Sequence, residues 1–165
     1  MRIPHRKPGK FSNLTPDPMI TKEKLLELER KLFRLKEKRP DMAAEVARLA
    51  ELGDFSENAE YQLAKGKLRG INNAILSLEN QINQARVIDP QNNGTVQIGN
   101  KVTVEINNAR KQFLILGSVE TDPKRGIISQ HSPIGSALIG HGVGEIVEVE
   151  LENKKVVYYK IIDIL

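Results

Sequence analysis

From Thr21 to Leu49 the apolar positions recur at alternating spacings of three and four: Leu25, Leu28, Leu32, Leu35, then Met42, Val46 and Leu49. Arg39 is the single polar break in that stripe. The rhythm returns at Tyr61, Ala64, Leu68, Ile71, Ile75, Leu78, Ile82 and Ala85. Such alternation, held over about four heptads, specifies a coiled-coil seam, because it keeps one narrow apolar stripe of each helix turned toward its partner. The intervening residues are mostly charged or amide-bearing, as a solvated surface requires. A short break centred on Gly53–Asp54 separates the two patterns, and a short connection makes the helices antiparallel neighbours. The pattern therefore predicts a helical hairpin over residues 21–86, each arm about 40 Å long at 1.5 Å per residue. Pro40 lies within the first arm and is expected to kink it. Gly66 and Gly70 fall on outer positions, where they leave the seam undisturbed.

Residues 87–94, "VIDPQNNG", read as a linker, after which the period changes from helical to alternating. "KVTVEI", "QFLILGS", "GEIVEVEL" and "KKVVYYKIIDIL" read as strands, with turns at Asn107-Asn108 and Glu152-Asn153. "SPIGSALIG" reads as a short helix entered at Ser132 with Pro133 at its first position. Residues 95–165 thus predict a small, largely antiparallel β domain with one short helix, and the whole chain is α+β.

The break between the helices is acidic: "ELGDFSENAE" carries Glu51, Asp54, Glu57 and Glu60. One reading is structural. Asp is a favoured N-cap, and Glu three residues later completes a capping-box-like pair, Asp54 with Glu57; Ser56 is the alternative cap. Acidic groups also suit the first turn of a helix. The other reading is chemical. A hard cation such as Mg²⁺ takes oxygen ligands and is often held by only one or two carboxylates together with waters and phosphate. Asp54 and Glu57 are too few for a complete site, but they suffice to finish one begun by another molecule and to orient a water toward a phosphodiester.

Charge and composition narrow the partners. The net +4 is unevenly placed: residues 1–20 contribute +3, residues 21–86 +2, and residues 87–165 −1. The basic, Pro-containing stretch 1–20 reads as a disordered leader, either a solubilising tail or a nucleic-acid-contacting arm. The absence of cysteine removes disulfides and thiolate metal sites and fits a reducing compartment. No apolar run approaches the roughly 18–20 residues of a membrane span, and no apolar stretch of a secretory signal follows the basic start. A cytoplasmic location is expected. His131 and His141 are isolated in sequence and read as surface or turn residues.

At the tip the chain resembles a known family. "GDFSENAEY" (53–61) is similar to the tip signature of the Gre transcript-cleavage factors, the GreA/GreB family of bacterial transcription elongation proteins. The likeness continues through both arms, "RVIDP" at 86–90 and "SPIGSALIG" at 132–140, and covers roughly residues 20–165. It implies that the hairpin enters the secondary channel of bacterial RNA polymerase when that enzyme has backtracked. Asp54 and Glu57, on the family's two acidic tip positions, would then help the polymerase active site hold a second Mg²⁺ and position the hydrolytic water, with no ion bound by the free protein. The nascent RNA 3′ segment is cut and elongation restarts. Asn58, Glu60 and Tyr61 share the signature as tip support. Lys65, Lys67 and Arg69 contact RNA phosphate, or are simply solvated charges. Residues 95–165 resemble the family's FKBP-like domain, which docks on the channel rim, with Ser132-Pro133 in the docking region. The factor so described is a monomer that lends groups to the polymerase's nuclease reaction and is not an enzyme alone. The leader has no counterpart in the family pattern, and the tip does not separate GreA-like from GreB-like subtypes.

Two rival functions carry their own expectations. A binding-only factor would occupy the same channel and inhibit; the presence of both Asp54 and Glu57 argues against it. A prolyl isomerase needs an aromatic-lined pocket, and residues 95–165 supply only Phe113, Tyr158 and Tyr159.

Overall fold

The two heptad stripes fold as helices α1 (Lys22–Glu51) and α2 (Ala59–Gln84), packed against each other along their apolar faces. The structure, a computed structural model, describes residues 17–51, 58–90, 93–150 and 156–165. Leu28 and Leu78 face one another's helix as the most buried leucines of the lower seam, with Leu25, Leu32, Leu35, Ile82 and Ala85 around them. Near the far end Leu49 and Ala64 close the seam. Full burial of one such leucine is worth about 1.5–3 kcal/mol, so a seam one residue wide holds a long hairpin through many modest contributions.

Arg39 does not open the seam. Its side chain stays exposed and donates from Nε across the hairpin to Asn72 Oδ1 at 2.8 Å. Lys36 Nζ pairs with Glu79 Oε1 of the opposite arm at 2.6 Å. Pro40 lies inside α1, which runs through it unbroken. The missing N–H leaves one carbonyl a turn earlier without its helical donor, a cost borne on a solvent-facing stretch.

The C-terminal domain is a five-stranded sheet built from β3 (Lys101–Ile106), β4 (Ala109–Leu116), β5 (Ile127–Ser129), β6 (Ile146–Glu150) and β7 (Val156–Ile164), in the order β5-β4-β3-β7-β6. Its inward face carries Val102, Val104, Ile115, Ile128, Val147, Val149, Tyr159 and Ile161. Helix α3 (Pro133–Leu138) covers that face through Leu138. The β3–β4 connection is the expected Asn107-Asn108 turn, both residues at positive φ (49° and 62°), as the tightest hairpins demand. A register shift between Thr103 and Val104 takes β7 from Asp163 to Ile161, leaving Ile162 as the extra residue. The shift explains why Ile164 packs on the core while Asp163 stays exposed. The expected Glu152-Asn153 turn lies outside the described residues.

The sheet differs from the sequence expectation at one edge. Strand β5 runs parallel to β4, Leu114 opposite Ile127, and closes a sheet that is otherwise antiparallel. Three residues are too few to show alternation, and the segment before them is taken up by two 3₁₀ turns, Ser118–Glu120 and Pro123–Arg125.

A second difference lies at the base of the hairpin. Within the stretch that the sequence assigned to the leader, Asp17 is hydrogen-bonded to Ser118 and Gln130 of the β domain, and Met19–Ile20 form strand β1. This strand pairs in parallel with β2 (Arg86–Val87), so the chain entering the hairpin is bonded to the chain leaving it. Arg86 N donates to Pro18 O at 2.7 Å and Ile88 N to Ile20 O at 2.9 Å. Thr21 then caps α1, its Oγ1 accepting from Lys24 N at 3.1 Å.

Candidate functional site

The connection between α1 and α2 lies at the end of the hairpin opposite the β domain, because α1 leaves the domain at Lys22 and ends at Glu51. Thirty residues at 1.5 Å each set that separation at about 45 Å. Asp54 and Glu57, with Gly53 and Ser56, fall on this connection and lie outside the described residues. Their immediate supports are described. The seam beneath is closed by Leu49 (3% exposed) and Ala64 (6% exposed).

The N-cap of α2 is Asn58, whose Oδ1 accepts the Tyr61 backbone N–H at 3.0 Å. The cap that the sequence pattern assigned to Asp54 or Ser56 is therefore made by a later residue. Asn is as good a cap as Asp, and spacing alone does not choose among capping residues a few positions apart. Glu60 then occupies the first turn of α2, where its charge favours the helix dipole and acts on Arg48 of the opposite arm. Arg48 itself is bidentate to Glu45, at 2.9 and 2.8 Å, a hydrogen bond that holds the Glu45 carboxyl below its usual range.

Tyr61 is half-buried on the seam, and Lys65 Nζ sits 5.7 Å from its ring centroid, one turn further along. The basic residues do not share one face. Successive residues turn by about 100°, which puts Lys65 and Arg69 on one flank of the seam and Lys67 on the other. On that second flank Lys67 lines a shallow groove between the arms with Met42, Glu45, Leu49, Glu60 and Leu63. All three cations are exposed.

In the β domain, Ser132 is the N-cap of α3 and Pro133 its first residue, as the sequence indicated. The Ser132 hydroxyl is fully engaged: it donates to Ser129 O at 2.7 Å and accepts from Gly135 N at 3.0 Å. A Cβ on Gly135 would stand 2.1 Å from Ser129 O, so only glycine lets α3 seat this closely. Pro133 is exposed. The three aromatic residues do not converge: Phe113 and Tyr159 pack together in the core with centroids 6.3 Å apart, while Tyr158 points out on the opposite face.

Neither histidine is isolated in space. His131 Nε2 lies 3.6 Å from Asp17 Oδ2, and His141 Nδ1 pairs with Glu145 Oε2 at 2.5 Å. The His141 bond, helped by one from Gly142 N, holds the Glu145 carboxyl below its usual range. Among the described residues no three His, Asp or Glu side chains converge to hold a metal ion. No described helix is long and apolar enough to cross a membrane.

Comparison with known proteins bears on the whole chain. Residues 18–87 match the family described as "Transcription elongation factor, N-terminal", and residues 91–165 match "Transcription elongation factor, GreA/GreB, C-term". The transcription elongation factor GreA of Acetivibrio thermocellus is 40% identical over 152 residues, covering 88% of this chain and 94% of its own. GreA of Thermomicrobium roseum is 36% identical over 138 residues, covering 81% and 88%. The crystal structure of GreA factor homolog 1 of Thermus thermophilus aligns with a TM-score of 0.42 at 22% identity, covering 90% of this chain and 99% of that one. With both regions matched in order and relatives similar over most of their length, the chain belongs to the GreA/GreB family of transcription elongation factors.

Proposed function

We propose that this chain stimulates cleavage of backtracked nascent RNA by bacterial RNA polymerase. In this reading the hairpin passes through the secondary channel and delivers Asp54 and Glu57 to the polymerase active site. The observation that carries it is the division of labour at the tip. Asn58 supplies the cap of α2, at the far end of an arm about 45 Å long, so that helix does not require a cap from Asp54 or Ser56.

Carboxylate oxygens are suitable partners for Mg²⁺, and Asp54 and Glu57 would hold one jointly with groups of the polymerase. The bound ion supplies Lewis acidity and an activated water. The contribution of this chain is to place two negative charges and to orient that water. Lys65 and Arg69 on one flank and Lys67 on the other are positioned to bracket the phosphates of the extruded RNA 3′ end. The β domain anchors the factor on the polymerase, with the exposed Pro133 at the entry of α3 as contact surface. The Ser132 hydroxyl, already engaged within the loop, holds that entry in shape. Acting in this way the chain is no enzyme by itself; it works as a monomer in the cytoplasm, where its partner is found.

Purified bacterial polymerase, halted and backtracked on a defined template with 3′-labelled RNA, tests the reading with and without the protein. Faster release of a short 3′ fragment is the expected result. Channel occupancy that slows elongation without release would instead favour the binding-only factor.

A further inference from the structure

The junction between hairpin and β domain is held by two carboxylates that no feature of the family signature at the tip invokes. Asp17, with a side chain only 3% exposed, accepts from Met19 N (3.1 Å), Ser118 N (3.0 Å), Ser118 Oγ (3.3 Å) and Gln130 Nε2 (3.0 Å), and faces His131. Met19 belongs to the base of the hairpin; Ser118, Gln130 and His131 belong to the β domain. Glu120 reaches the other way. Its Oε2 accepts from Thr21 N at 2.7 Å and its Oε1 from Thr21 Oγ1 at 2.6 Å, so the residue that caps α1 is gripped from the β domain. The two surfaces meet without slack: a Cβ on Gly117 would stand 1.8 Å from Met19 O.

A lever amplifies any looseness at its base. With an arm of about 45 Å, a swing of about 10° displaces the tip by about 8 Å. Catalytic groups lose effect at displacements of about 1 Å. Direction must therefore be fixed at the junction, and the acceptor set there is of the kind that fixes it: both carboxylates accept hydrogen bonds on both oxygens, and Asp17 is buried as well. We propose that Asp17 and Glu120 are positioning residues that set the direction of the hairpin relative to the docking domain, and so place the tip. This rests on the cleavage reading above for its functional consequence, but not for its geometry.

The chain has no cysteine, so a labelled pair can be introduced cleanly. Spin labels at Glu51→Cys, near the tip, and Glu148→Cys, on the exposed sheet face, report the angle between hairpin and domain in the full chain. Asp17→Asn keeps the size but turns an amide NH₂ toward donors, and Glu120→Gln does the same at Thr21. The labelled parent should give one narrow distance distribution, and the double variant a broad one. At saturation the variants' cleavage rate should fall by about tenfold or more, while the half-saturating concentration moves by less than about threefold and each domain still melts cooperatively. A distribution as narrow in the double variant as in the parent overturns the proposal. So does a broadened one with undiminished cleavage. A parent that stimulates no cleavage defeats the functional reading alone, and the clamp then stands or falls on the distances.

Discussion

Asn58 Oδ1 accepts the Tyr61 backbone N–H at 3.0 Å, and this bond places the start of α2 after the acidic connection. Loss of an N-cap of this type costs about 1 kcal/mol. Asn58→Ala is therefore expected to lower the melting temperature measurably, and Asn58→Asp to restore it. Asp54→Asn should leave melting unchanged. Destabilisation by the Asp54 change equal to that of Asn58→Ala would return the cap to Asp54.

The seam makes a quantitative contrast. Leu78 is 7% exposed against Leu28, whereas Phe33, on the outer side of α1, is 62% exposed. Leu78→Ala should cost about 2–3 kcal/mol, at the lower end for core leucines because a two-helix seam can partly close over the gap. Phe33→Ala should change stability by less than about 0.5 kcal/mol. Denaturant unfolding of both variants checks the ranking, and equal losses would mean that the buried stripe is misassigned.

Arg39 and Asn72 bond across the hairpin on an exposed face, where a polar pair contributes at most about 1 kcal/mol. Arg39→Leu, which restores the heptad stripe, should therefore be neutral or stabilising in thermal melts. A loss of several degrees would show that the cross-arm bond fixes the register of the arms.

Asp17 gives the junction a pH signature. Burial pushes its carboxyl up, but hydrogen bonds from Gln130, Met19 and Ser118, with the charge of His131, outweigh burial and hold it below the ordinary 3.8. A group depressed in the folded state stabilises fully above its ordinary value and loses that contribution as pH falls through the lower, folded one. The parent should therefore lose more stability between pH about 6 and about 3 than Asp17→Asn does. Parallel pH profiles for the two would contradict the assignment.

The hairpin was legible because period is the strongest signal a sequence carries: Leu25 to Leu49 and Tyr61 to Ala85 fix two helices, their buried faces and their antiparallel pairing. Four strands, the Asn107-Asn108 turn and the Ser132 cap were legible for the same local reasons. What escaped is non-local. Asp17 looked like one acid in a basic leader, because its donors at Ser118 and Gln130 are about a hundred residues away. Strand β5 exists because β4 offers it an edge, and no three-residue pattern announces that. The choice of Asn58 over Asp54 as cap turned on where the helix begins, which propensity leaves open by several residues.

The central claim is that Asp54 and Glu57 are partners of a shared Mg²⁺, and its most direct test is the cleavage rate of backtracked polymerase complexes across a Mg²⁺ titration with Asp54→Asn and Glu57→Gln. Both substitutions remove charge at nearly constant shape, and an amide oxygen is a much weaker partner for a hard dication. The expected result is a fall of about two orders of magnitude or more at low Mg²⁺, partly recovered as Mg²⁺ rises, with polymerase affinity and melting temperature unchanged. Near-normal cleavage by either variant at low Mg²⁺ would contradict the claim.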